Sequence, residues 1–270
     1  MKNLWNKIPA WLKAVILSII ILLPAVLVVQ TPLALNLEIF PEIPWAFPLA
    51  LVSLFIFWKL IKHFDKFSHK EDVKLKITFD WRNWRNWSYV FGIFFFTPAI
   101  IQLGAYAFDI ESTGQLEYIQ LFAQTGPFTA IPLLLGLALG AGILEEVVYR
   151  GYVQNTLVAR YPKWISFVFI AIIFAVMHQL PITLILPYML ASIAFSFVAD
   201  QTKSTGVVIF AHILVDFVSF LLLYFEPFNL LEATSVNISA MGILLVLALI
   251  LLISPHFRRT KLNKIELKMS

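Results

Sequence analysis

The sequence predicts an all-α fold: a polytopic bundle of about eight transmembrane helices with both termini cytoplasmic. Three observations predict it. The 270 residues are 60% hydrophobic and 13% charged, where soluble domains carry about 25% charged residues. Eight apolar runs approach the ~20 residues that cross a bilayer, at about 11–29, 45–61, 87–108, 128–144 continuing into a charged stretch, 164–177, 182–199, 206–225 and 238–254. The segments between the runs also sort alternately by charge. Residues 1–13, 59–85, 150–163, Lys203 and 256–270 hold all 20 lysines and arginines. Residues 30–44, 109–127, 178–182 and 226–237 hold none, and carry Glu38, Glu42, Asp109, Glu111, Glu117, Glu226 and Glu232. Cytoplasmic loops take the excess of lysine and arginine, so the first set is inside. A wrong helix count would scramble so complete a division.

Taken in order, the first run is too long for a signal-peptide core and no small-residue cleavage site follows closely, so it reads as a retained span. The second run ends in a basic connector, about 62–85, whose end places Trp81, Trp84 and Trp87 three residues apart with Arg82 and Arg85 between them. Indoles at headgroup level and arginines on lipid phosphates make this an interfacial segment. The WRN-WRN echo is local and signals no repeat architecture. The fifth run is short if it stops at His178. Arg258, Arg259 and Lys261 in the tail read as an inside anchor. The chain divides into residues 1–124 (helices 1–3 and the connector), 125–225 (helices 4–7) and 226–270 (the last helix and basic tail). With no cysteine, disulfides, thiol nucleophiles and thiolate metal sites are excluded. No glycine-rich phosphate loop appears, and no nucleic-acid partner is expected.

Chemistry must therefore come from ionisable groups inside the spans. Each costs roughly 2.5–3.5 kcal/mol by insertion measurements. Lys13 and Lys59 lie at helix ends and can snorkel. Six remain: Glu145, Glu146 and Arg150 in the fourth run, His178 closing the fifth, and His212 and Asp216 in the seventh. Glu146 and Arg150 are four apart, share a face and can pair. Glu145 points about 100° away, facing something else. His212 and Asp216 also share a face, so Asp216 can fix the imidazole tautomer or line the site itself. A turn at Tyr161-Pro162 puts Glu145 and His178 at matching depth on antiparallel helices, if the fourth helix continues past Arg150 to about Leu157. His212 reaches a similar depth from the start of its helix. One carboxylate and two imidazoles meeting at one buried point suit the activation of water, with or without a metal. Ser192 and Ser196 have no ionisable base on their own helix, so a serine nucleophile finds no support. Gly136, Gly140 and Gly142 allow close approach to the fourth helix.

The three constellations, Glu145-Glu146-x-x-x-Arg150, Phe174-x-x-x-His178 and His212-x-x-x-Asp216, resemble the motifs of the CPBP family, the CAAX prenyl endopeptidases and bacteriocin-processing enzymes also called the Abi family. Asn and Asp both occur at the last position, so Asp216 fits. The resemblance covers about residues 125–225 and implies an intramembrane endopeptidase, a membrane hydrolase of peptide bonds. It implies Glu145 as the base activating water with help from His178, His212 and Asp216 as the pair stabilising the oxyanion or completing the site, and Glu146 and Arg150 in support. Members of the family have been described both as metalloproteases and as metal-independent glutamate proteases. Glu145, His178 and His212 would be the zinc (Zn2+) ligands in the first case, and the sequence leaves the two open. The expected partners are the membrane and a peptide or lipidated-protein substrate, with oligomeric state unspecified. The lack of cysteine and of an ER-type retention signal points to a bacterial plasma membrane. A non-enzymatic role, in bacteriocin immunity or as a scaffold for a signalling protein, is the alternative, which the completeness of all three motifs argues against. A transporter ranks third, because helices 1–3 are nearly free of polar residues.

Overall fold

The computed structural model describes residues 7–67, 75–108, 122, 124–225 and 232–269, with side chains except at 64–67 and 256–269. Among these residues the chain forms eight helices and no strand. They are α1 (Ala10–Glu38), α2 (Ala46–Phe67), α3 (Trp84–Ala107), α4 (Pro127–Val158), α5 (Lys163–Met177), α6 (Ile182–Thr202), α7 (Thr205–Phe225) and α8 (Ser235–Met269). Seven are long and apolar enough to cross a membrane; α5, at 15 residues, is shorter. The chain is a multi-pass membrane protein. Asp109, Glu111, Glu117 and Glu226 of the acidic loops, and the side chains of Arg258, Arg259 and Lys261, lie outside the described residues.

Several helices outrun their apolar runs. Helix α1 continues past Val29 to Glu38, through what the charge pattern assigns to an outer loop. It stops where Phe40 takes a left-handed conformation (φ 53°), a turn that Asn36 holds together. The Asn36 amide donates to the Phe40 and Ile43 carbonyls (3.3 and 2.9 Å) and accepts from the Ala46 amide at 2.8 Å. Polar satisfaction by one buried asparagine thus replaces a loop. Pro24 follows a π-helical turn, Ser18–Leu22, in the same helix. The wider turn accommodates the donor that proline lacks. Helix α3 starts at Trp84 because the Asn83 side chain caps it, accepting from the Arg85 amide at 3.1 Å. Helix α5 does stop short. His178 closes it, Gln179 turns left-handed (φ 52°), and Pro181 keeps the residue before it out of the helical region.

Helix α4 is central: 56% of its apolar window is buried, against 11% for α8. Its small residues set the spacing. A Cβ on Gly136 or Gly140 would meet Leu33 or Val29 of α1 at 3.0–3.1 Å, and one on Gly142 would lie 2.5 Å from Ile213 of α7. The glycine stripe is therefore filled by neighbouring helices. One core joins α1, α2, α4 and α5 with the first turns of α6 and the end of α3; a second joins α3, α6, α7 and α8. Helix α8 docks on α3, where the Ser88 hydroxyl donates to the Leu251 carbonyl (2.8 Å) and Leu252 fits over Gly92.

The end of the connector, 75–80, is an extended strap across one end of α4 and α7. Leu75 sits over Gly151, and a Cβ on Gly206 would lie 2.7 Å from the Thr78 carbonyl oxygen. The Thr205 amide donates to the Lys76 carbonyl at 2.9 Å, and Ser204 bonds to the Thr78 amide and carbonyl. The strap leads into an aromatic cluster of Phe79, Trp81, Trp87 and Phe210. Trp81 and Trp84 keep exposed indoles, as an interfacial segment requires.

Candidate active site

Glu145, Glu146 and Arg150 straddle the point where α4 changes from α- to π-helical, at Val147–Val153. The two carboxylates divide as helical geometry requires. Glu146 is fully buried and its Oε1 accepts from Arg150 Nη1 at 2.8 Å. The same oxygen accepts from His212 Nδ1 at 2.7 Å. His212 therefore engages Glu146, whereas depth and helical phase alone directed it toward Glu145. The close α4–α7 contact at Gly142 brings the imidazole across.

Both terminal nitrogens of Arg150 are engaged. Its Nη2 donates to the carbonyl and hydroxyl of Ser192 on α6 (3.1 and 3.0 Å). Its guanidinium lies 5.1–5.8 Å from the rings of Phe195, Phe174 and Tyr149, which surround the charge with π-faces. One turn on, Gln154 donates to the Ser196 carbonyl at 3.0 Å, so Arg150–Gln154 and Ser192–Ser196 form an i,i+4 ladder between parallel helices. These serines are structural acceptors. The sequence signal for the ladder was the matched four-residue spacing, but nothing in the sequence aligned α4 with α6.

Glu145 is different. It is only half-buried, it makes no ion pair with lysine or arginine, and its Oε2 has no hydrogen-bond partner among the described residues. Its electrostatic neighbours are His178, His212, Asp216 and Glu146. The hairpin about Tyr161-Pro162 thus brings His178, and the approach of α7 brings His212 and Asp216, into the neighbourhood of Glu145. His178 closes α5 with its Nδ1 2.7 Å from the Phe174 carbonyl. A carbonyl only accepts, so Nδ1 carries the proton, and it is Nε2 that is left for a further partner. The ring packs at a tilt against Phe174 (4.3 Å) and Tyr188 (5.4 Å). Asp216 is 3.4 Å from His212 Nε2 and partly exposed.

The six residues form two layers. Glu146, Arg150 and His212 are buried and joined to one another. Glu145, His178 and Asp216 are each partly accessible. Tyr188, on α6, lies within electrostatic reach of both Asp216 and Glu145, and buried Tyr149 within reach of Glu145. Both escaped the sequence reading because an aromatic residue in an apolar helix carries no distinguishing signal.

The fit to a metal can be tested on the side chains. Among the described residues no three histidine, aspartate or glutamate side chains cluster so as to hold an ion. His212 spends Nδ1 on Glu146, and its Nε2 faces Asp216. As arranged, Glu145, His178 and His212 do not form a zinc ligand set.

Fold and site together define a polytopic helical membrane protein with a buried carboxylate–imidazole centre on α4, α5 and α7. Residues 127–218 match the family model of type II CAAX prenyl endopeptidase Rce1-like proteins. The match spans all three motifs and bears out the CPBP resemblance over the segment that carries the site. No curated protein and no solved structure matches the chain.

Proposed function

We propose that this protein is an intramembrane endopeptidase that hydrolyses a peptide bond in a membrane-associated or lipidated substrate. The observation that carries the proposal is Glu145: a half-buried carboxylate that no lysine or arginine pairs with, beside Glu146, which holds both Arg150 and His212. A carboxylate left unpaired in an apolar helix is costly and is suited to act as a base. Similarity to a family named for prenyl endopeptidase activity supports the reaction class.

In this reading Glu145 takes a proton from water, whose oxygen attacks the scissile carbonyl carbon. The Nε2 lone pair of His178 orients that water by accepting its second hydrogen. His212, fixed through Nδ1 by Glu146, directs Nε2 toward Asp216 and the developing oxyanion. Collapse of the tetrahedral intermediate breaks the C–N bond, and the proton held by Glu145 passes to the leaving amine. No step is routed through a metal. Residues 125–225 act as the catalytic core, with 1–124 and 226–270 as its membrane support. The basic end faces the cytoplasm, with both termini there, in a bacterial plasma membrane.

The test is cleavage of a lipidated C-terminal peptide in membranes containing wild type, Glu145→Ala or His178→Ala. The proposal expects cleavage to fall by about a hundredfold or more in each, in line with the loss of a general base. Undiminished cleavage by either variant refutes the assignment.

A further inference from the structure

A cavity of about 450 Å³ opens at the basic end of the bundle between the strap, the last turns of α4 and the junction of α6 with α7. Three ammonium groups surround it: Lys76 on the strap, Lys163 at the first residue of α5, and Lys203 in the left-handed turn that ends α6. Asp200 is the one carboxylate among the lining residues and bridges Lys163 (3.0 Å) and Lys203 (2.6 Å). Positive charge therefore remains in excess. The charge of Arg150, also in the lining, is already met by Glu146.

Two nine-tenths-buried side chains line the cavity with polar atoms unused. Arg150 Nε has no acceptor and Gln154 Oε1 has no donor among the described residues. Neither atom has accessible surface, so the groups a ligand in the cavity meets are the three ammonium groups. Its position narrows the ligand. Lys163 and Lys203 stand at the ends of apolar helices, with side chains 51% and 63% exposed. Next to Lys163, α5 presents Trp164, Ile165 and Val168 outward as exposed apolar surface. An acyl chain could lie along that face while its headgroup reached the cavity.

We propose that this cavity binds the phosphate headgroup of an anionic phospholipid, such as phosphatidylglycerol. The phosphate oxygens meet the ammonium groups of Lys76, Lys163 and Lys203. Basic pockets between helices at the cytoplasmic interface recognise phosphate headgroups in this way. The site is separate from Glu145 and His178, and the proposal does not depend on peptide-bond hydrolysis.

The test is lipid retention, read by native mass spectrometry of the full-length protein from nanodiscs of phosphatidylcholine with and without phosphatidylglycerol. Wild type retains phosphatidylglycerol over phosphatidylcholine. Lys163→Gln and Lys203→Gln each lower that preference about fivefold, the worth of one lysine at an anionic surface. Asp200→Asn raises it, because the competing carboxylate is gone; a folding defect cannot produce a gain. Lys59→Gln with Lys62→Gln, at the end of α2 and outside the cavity, controls for general surface attraction and should cost less than either cavity lysine. Equal retention of both lipids, an equal loss in the control pair, or weaker retention by Asp200→Asn overturns the proposal. If glycerol phosphate in solution protects the protein in phosphatidylcholine discs from thermal unfolding as fully as phosphatidylglycerol does, the site takes free phosphate and the lipid assignment falls.

Discussion

Arg150 offers the sharpest quantitative test of how the site is held. Replacing it with alanine leaves Glu146 wholly buried with only His212 against it, and takes the donor away from both the carbonyl and the hydroxyl of Ser192. Removing one partner of a buried ion pair costs about 3–5 kcal/mol, and orphaned acceptors add about 1–3. The two overlap, so Arg150→Ala should lose about 4–6 kcal/mol, a large part of the ~5–15 kcal/mol available to a folded domain. Removing both charges should be milder. In Glu146→Gln/Arg150→Met the amide oxygen still accepts from His212, and the thioether fills the cage of Tyr149, Phe174 and Phe195. At least half the lost stability should return. Denaturant unfolding in mixed micelles, followed by tryptophan fluorescence, measures all three proteins. A loss under about 1 kcal/mol for Arg150→Ala, or a double variant no more stable than the single, would refute the two-layer reading. Glu145→Gln supplies the contrast. It removes no ion pair with lysine or arginine, so stability should stay within about 1 kcal/mol of wild type while cleavage is lost.

Two further predictions follow from packing and ligand geometry. Gly142→Ala drives a methyl group into Ile213, 2.5 Å from its side chain and 3.0 Å from its backbone nitrogen. It should destabilise by about 1–3 kcal/mol and reduce cleavage more than Gly140→Ala does, because it moves the helix bearing His212; equal effects of the two would sink that coupling. In a cleavage assay with 1,10-phenanthroline, activity should persist, since His212 is committed to Glu146. Loss of activity restored by zinc would instead assign Glu145, His178 and His212 to a metal.

Much of the fold was legible because a bilayer is a severe solvent. It forces long apolar helices and pushes lysine and arginine to one side, and both leave marks in one dimension. Helix ends were less legible. Glu38 and Trp84 are set by Asn36 and Asn83, whose side chains satisfy backbone groups several residues away in sequence or at the cap. The strap at 75–80 could not be foreseen, since its hydrogen bonds go to Ser204 and Thr205, far along the chain.

The site divides the same way. The sequence alone determined that ionisable residues stand in three apolar helices, that Glu146 and Arg150 share a face, and that Glu145 does not. Those are properties of one helix, where spacing fixes direction. Only the tertiary structure decided that His212 bonds Glu146, that Ser192 and three aromatic rings hold Arg150, and that Gln154 pairs with Ser196. Each depends on how closely α4, α6 and α7 approach and in what rotation. Those are set by Gly142, by the π-helical turn at Val147–Val153, and by the summed packing of many apolar side chains that no single spacing encodes.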